Sequence, residues 1–160
     1  DDGYFRNCTF TGEELRKALT DNGVKILEDE SVLLANSLQG NVCYIVGRKD
    51  ASARDRLSIE ELTEDLDPEV YTVVLDHQPT DFEAEAEAKV DLVLCGHTHG
   101  GHLFPTGLVG VWFGGNDLCY GKEVREGSTF IVSSGISGWT MPFKTGCISE
   151  IVTVHVAGEK

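Results

Sequence analysis

The sequence contains no apolar run approaching the roughly 18 residues that cross a bilayer, and no basic-then-apolar leader opens it. Neither a membrane span nor a signal peptide is therefore expected. Basic residues are scarce: 13 Lys and Arg stand against 27 Asp and Glu, a formal net charge of −14. Such acidity argues against a nucleic-acid-binding surface or an anionic membrane partner, because both reward clustered Lys and Arg. The five cysteines, Cys8, Cys43, Cys95, Cys119 and Cys147, are odd in number and scattered, and no C-x-x-C pair occurs. A zinc ribbon or a dithiol redox motif is thereby excluded. Cys43 and Cys95 lie inside apolar runs, where a thiol packs as a small hydrophobe. Reduced, structural cysteine fits a cytoplasmic location. Internal repeats, low-complexity tracts and linkers are also absent.

What is present has globular proportions: 41% apolar and 25% charged residues over 160 positions. Residues 1–160 read as a single domain. A chain of this length buries roughly 68–70% of its unfolded surface and needs no disulfide or metal merely to hold a core. Thr11-Gly12-Glu13-Glu14 and Ser58-Ile59-Glu60-Glu61 are capping-box signatures, each followed by apolar residues at helical spacing. A third helix is predicted from Thr80-Asp81-Phe82-Glu83. Its Glu/Ala alternation has period two, but both residues favour helix over strand, and Phe82, Ala86 and Val90 form one stripe. Strands are predicted at Val24–Leu27, Ser31–Ala35, Val42–Val46, Tyr71–Leu75 and Asp91–Cys95. A hairpin is predicted from Tyr120–Arg125 and Thr129–Ser133, and a final alternating strand over Cys147–Val156. Gln39-Gly40-Asn41 reads as a turn. The Gly-rich stretch from Gly96 to Gly115 is expected to be a long functional surface loop.

The chemistry concentrates between Tyr71 and Gly101. A buried strand ends at Asp76 and His77 follows; a helix crosses over; a second buried strand ends at Cys95, and Gly96-His97-Thr98-His99-Gly100-Gly101 follows. This is a β-α-β unit with a crossover near the minimum length, which makes the strands parallel and the connection right-handed. His77, His97 and His99 then emerge at one carboxyl edge of the sheet, where ligand sites of open α/β sheets lie. His97 and His99 can point to one side only if the loop curls, and its glycines allow that. Three imidazoles at one edge suit a divalent cation such as Zn, Fe, Ni or Mn. Asp76 should point to the opposite face and is not expected to be a ligand. His102 is expected to face solvent or to support the ligands from behind, and His155 to be surface.

His77-Gln78-Pro79 and Gly96-His97-Thr98-His99-Gly100-Gly101 together resemble the calcineurin-like metallophosphoesterases, in particular the bacterial branch of predicted phosphohydrolases. Asn22–Leu27, Ile45–Asp50, Ser133–Gly138 and Glu150-Ile151 extend the resemblance over nearly the whole chain, but to the second half of the family's catalytic domain. The family's early motifs, an Asp-x-His, a Gly-Asp with a downstream Asp, and a Gly-Asn-His, do not occur. The resemblance implies an α/β fold, the C-terminal half of a metallophosphoesterase-type two-sheet sandwich flanked by helices. It implies a parent enzyme that hydrolyses phosphate esters through a hydroxide activated by two divalent metal ions. His77 and His97 resemble ligands of the second metal and His99 a ligand of the first. Gly96, Thr98 and His102 resemble surrounding or substrate-rim positions; relatives often carry Gln at the last of these, and Arg near Lys144.

The implied catalytic residues lie in the absent half, so the 160 residues alone are expected to be inactive. The implied partners are a phosphate-ester substrate, the missing N-terminal half and a second copy of the chain. Trp112, Phe113, Trp139 and Phe143 are candidate contacts for that copy. The alternative is a non-catalytic α/β module that binds one metal through three histidines or self-associates.

Overall fold

Both capping boxes start helices in the computed structural model, which describes residues 9–35, 42–138 and 143–157. Thr11 accepts from the Glu14 amide at 3.2 Å while the Glu14 carboxylate receives the Thr11 amide at 2.7 Å, opening α1 (Gly12–Asp21). Ser58 and Glu61 do the same for α2 (Ile59–Thr63). These reciprocal bonds satisfy amides that the first helical turn leaves without partners. The strands are β1 (Glu30–Ala35), β2 (Val42–Gly47), β3 (Thr72–Leu75), β4 (Leu92–Cys95), β5 (Gly121–Arg125) and β6 (Ser128–Val132). Helix α3 (Phe82–Glu87) joins β3 to β4, and α4 (Thr106–Trp112) follows β4.

The six strands form one mixed sheet in the order β1-β2-β3-β4-β6-β5. β2, β3, β4 and β6 run parallel; β1 and β5 are antiparallel additions at the two ends. The α/β class, the β3-α3-β4 unit and the β5-β6 hairpin all match the sequence expectation. Register explains the core. Val46, Val74, Val93 and Phe130 are direct cross-strand neighbours, and each is wholly buried. Ile59 and Leu62 of α2 and Phe82 and Ala86 of α3 belong to the same cluster. Phe82 stacks on Phe130 at 4.1 Å between centroids, and full burial of side chains of this size stabilises by roughly 1.5–3 kcal/mol each.

Three expectations change. Val24–Leu27 is not a strand; Leu27 lies over Gly47, so closely that a β-carbon there would stand 2.3 Å from the Leu27 β-carbon. The segment lies against the end of β2 instead of pairing with the sheet. Cys147–Val156 forms no strand either, and Ile148 and Ile151 are 76% and 84% exposed. Its alternation is real, but a strand needs a neighbour to pair with. The Gly96–Gly115 stretch is not all loop, since it includes α4. Helix α3 begins where predicted, with Asp81 at its N-cap position but making no side-chain cap bond. The Asp117 carboxylate accepts from the Phe82 amide at 3.0 Å instead, because Asp81 is committed to Arg48. The Gln39–Asn41 turn, Cys8 and Trp139 lie outside the described residues.

Candidate metal centre

Parallel pairing carries on past the ends of β3 and β4. The Asp76 amide donates to the Leu94 carbonyl at 3.2 Å, and the Gly96 amide to the His77 carbonyl at 3.1 Å. The ladder therefore lays His77 beside Gly96-His97. A β-carbon at Gly96 would stand 3.7 Å from His77 Nδ1. The His77 and His97 rings meet edge to face, 5.3 Å between centroids at 81°.

The loop after β4 curls as its glycines permit, but histidines take part in the curl. His97, His99 and His102 all have positive φ, at 64°, 50° and 44°, alongside Gly100 and Gly101 at 61° and 86°. A side chain in this region costs on the order of 1–3 kcal/mol and persists only where its surroundings enforce it; such strain clusters at functional sites. Three anchors enforce it here. Thr98 Oγ1 donates to the Cys119 carbonyl at 2.6 Å. Cys147 Sγ donates to the His99 carbonyl at 2.9 Å. His99 Nδ1 lies 3.1 Å from the Ser137 carbonyl. A carbonyl can only accept, so that nitrogen carries the proton and Nε2 keeps its lone pair. A backbone carbonyl behind an imidazole is the usual way a metal-binding tautomer is fixed.

Electrostatics favour neutral rings. Burial, then the neighbouring His97, hold His77 below its usual range, with Asp50 and Asp76 opposing. Burial also lowers His99 against the pull of the Ser137 carbonyl, with Lys144 and the other histidines adding to the effect. The turn that carries His77 is fastened to the end of β2. Gln78 donates to Asp50 at 2.6 Å and accepts from the Ala51 amide at 3.1 Å. Burial would raise the Asp50 carboxyl, but hydrogen bonds from Ser52 and Gln78 outweigh it and hold it well below the carboxylate range.

Asp76, next to His77, points inward as expected. It is 1% exposed and bonds Arg48 and Arg56. Arg48 also reaches Glu85 at 3.1 Å and Asp81 at 2.8 Å. Two cations thus face three carboxylates, and protonation of one balances the cluster. Burial, then Asp76, push Glu85 up to about 8 against the pull of Arg48. The folded state binds this proton more tightly than the unfolded chain. Its stabilisation is complete below the unfolded value near 4.5 and is lost as pH rises through about 8. Glu85→Gln, which cannot ionise, should therefore gain stability relative to the parent chain between pH 5 and pH 9. Urea midpoints measured across that window check this; a constant gap between the two proteins contradicts it.

The structure brings His77 and His97 together. It sets His99 on the Ser137 carbonyl, with its ring 6.2 Å from that of His102. Among the described residues, no three His, Cys, Asp or Glu side chains are arranged as a metal-holding group. The donor chemistry nonetheless fits a borderline divalent cation: two facing imidazoles, and a third with its lone pair selected from behind. His102 is 8% exposed and packs inside the loop, so it does not face solvent. Asp50, Gln78 and Ser137 lie within longer stretches read from the sequence, where none of them has a role of its own. Asp50 did leave a signal: it accepts from the Ser52 amide two residues on, at 2.9 Å, a turn habit of Asp.

Comparison with known proteins places the chain. No family model matches it, and no solved structure matches it. Curated sequences do. An uncharacterized metallophosphoesterase of Aquifex aeolicus is 32% identical over 98% of this chain and 58% of its own length. One from Helicobacter pylori is 32% identical over 90% of the chain and 38% of its own length. A Bos taurus transmembrane protein with a metallophosphoesterase domain is 28% identical over 78% of the chain and 27% of its own length. No helix among the described residues is long and apolar enough to cross a membrane. The chain spans 58%, 38% and 27% of the length of these three relatives, and over that span it is similar to metallophosphoesterases.

Proposed function

We propose that this chain supplies the histidine portion of a metal-dependent phosphoesterase centre, with His77, His97 and His99 as ligands of divalent cations. The observation that carries this is the convergence of rings from two parallel strand ends, 5.3 Å apart, beside a loop whose histidines are held at positive φ. Bound cations would supply Lewis acidity, neutralise phosphate charge and lower the pKa of water. The chain's own residues orient and tune. The Ser137 carbonyl selects the His99 tautomer, burial keeps His77 neutral, and the Gln78–Asp50 bond fixes the turn that carries His77. Cations would also reverse the local sign in a chain whose net charge of −14 repels phosphate esters.

Asp76 and Asp50 are the carboxylates nearest the histidines in sequence or hydrogen bonding, and both are committed, to arginines and to Ser52 and Gln78 respectively. Among the described residues no carboxylate joins the histidines in a metal-holding group, so the bridging carboxylate of a two-metal centre would come from outside them, and the 160 residues alone should not turn over a phosphodiester. Calorimetric titration with Zn²⁺ tests the ligand assignment. The parent chain should bind, and the His97→Ala/His99→Ala double variant should bind at least about tenfold more weakly. Equal affinities remove the assignment. In the same preparation, a chromogenic phosphodiester with Mn²⁺ should release no product, and His77-dependent turnover refutes the claim of inactivity.

A further inference from the structure

An apolar cavity of about 380 Å³ opens directly beside the histidine loop. Its wall includes Gly100 and Gly101, which are the loop itself, and continues through Phe104, Pro105, Trp112 and Leu118. The volume lies in the range of small-molecule sites. No charged side chain lines it. Two of its aromatics remain largely in water, Phe104 at 71% and Trp112 at 73% exposed, and the adjoining Phe113 is 85% exposed. The fold spends no core contact on these rings, although it buries Phe82 and Phe130 completely.

The occupant is constrained from three sides. Gly100 and Gly101 in the cavity wall directly follow His99, whereas His77 and Gly96 line a separate cavity; a ligand of the apolar cavity therefore approaches the histidine loop at its His99 end. The lining has no charged side chain, and its polar ones are Cys119 and Tyr120, whose hydroxyl already donates to Glu150; it offers little to the further phosphates of a nucleotide or to the polar backbone of a phosphopeptide, and burying such groups without partners is costly. The chain's −14 charge also disfavours any second anionic group away from the cations.

We propose that the substrate is a phosphate ester of a long-chain alcohol, whose alkyl chain lies against Phe104, Pro105 and Trp112 while its phosphate meets the histidine loop at His99. The proposal rests on the phosphoesterase reading for its phosphate end, but the alkyl end is tested independently. Butyl, hexyl and octyl phosphate, all monomeric at working concentrations, are titrated calorimetrically into the full chain with and without Zn²⁺. Complete transfer of one methylene from water tightens binding by about fourfold, and half that burial by about twofold. Four added methylenes should therefore improve affinity by about tenfold or more from butyl to octyl.

In Phe104→Ala/Trp112→Ala the gain should fall below about threefold. Both rings are mostly exposed, so this variant keeps its fold, which circular dichroism checks. A chain-length gain that is absent, or unchanged in the double variant, overturns the proposal. Phenyl phosphate binding more tightly than octyl phosphate overturns it too, in favour of an aromatic ester. Failure of the phosphoesterase reading has a different signature: the chain-length gain persists, but Zn²⁺ makes no difference to any affinity.

Discussion

Replacing Arg48 by alanine is expected to cost about 3–5 kcal/mol of folding stability, the range for removing one partner of a buried ion pair. The side chain is 2% exposed and holds three carboxylates, Asp76 at 3.1 Å, Glu85 at 3.1 Å and Asp81 at 2.8 Å. Its loss strands two of them, Asp76 and Glu85, each 1% exposed. Arg56 still reaches Asp76, and Glu85, pushed up to about 8, already holds a proton at neutral pH, so the effect belongs at the lower end of the range. With a denaturant slope of about 2 kcal/mol per molar urea, the midpoint should fall by about 1.5 M. Arg48→Met keeps the volume and should rescue little, because what destabilises is buried polar groups left without their partner. Arg48→Met/Glu85→Gln should recover part of the loss chiefly at alkaline pH, where Glu85 would otherwise ionise with no Arg48 beside it. A single-variant cost below about 1 kcal/mol would show that the cluster relaxes around the gap. The network also reaches the histidines: Asp76 is the residue before His77, so the variant should weaken Zn²⁺ binding beyond what its lower stability explains.

This cluster marks a boundary of what the sequence could tell. Glu85 sits in a Glu/Ala alternation that reads as a solvated helix face. Nothing local distinguishes it from Glu83 or Glu87, and its burial is decided by Arg48, 37 residues away in sequence. Local signals fared better. The capping boxes at Thr11 and Ser58 need four consecutive residues and no tertiary partner, and both formed. The β3-α3-β4 unit was legible because continuous apolar runs flanking a short crossover leave few topologies open. From that unit the meeting of His77 and His97 followed. The last alternating segment, 147–156, failed for the opposite reason: alternation states that a residue row wants a surface, not that one exists. The placement of His99 was half legible. Glycine flanks predicted the curl, but the Ser137 carbonyl that fixes its tautomer comes from 38 residues further on.

Gly100 carries the curl, and Gly100→Ala is expected to damage both stability and metal binding. A β-carbon there would stand 2.4 Å from Cys147 Sγ, 2.8 Å from the Cys147 β-carbon and 3.0 Å from the Ser134 β-carbon. The sulfur can swing away; the two β-carbons move only with their backbones. Since Cys147 Sγ also holds the His99 carbonyl, any displacement of the 143–147 segment is passed to His99. The positive φ of 61° adds a separate backbone cost of about 1–2 kcal/mol.

Gly114 separates the two contributions. It has a similar φ of 71° but nothing within 4 Å of its would-be β-carbon, so Gly114→Ala carries the backbone cost alone. Gly100→Ala should exceed Gly114→Ala by about 1–3 kcal/mol, the ordinary cost of overpacking. It should also lower Zn²⁺ affinity by about tenfold or more, whereas Gly114→Ala leaves it unchanged. In Gly100→Ala/Cys147→Gly both clashing cysteine atoms are gone. Stability should then be largely restored, relative to Cys147→Gly alone, but zinc affinity only in part, because the thiol that anchored His99 has gone with them. Urea unfolding and zinc calorimetry on the four variants read each effect separately. If Gly100→Ala proves no worse than Gly114→Ala in either measurement, close packing against Cys147 and Ser134 does not hold the histidine loop in place.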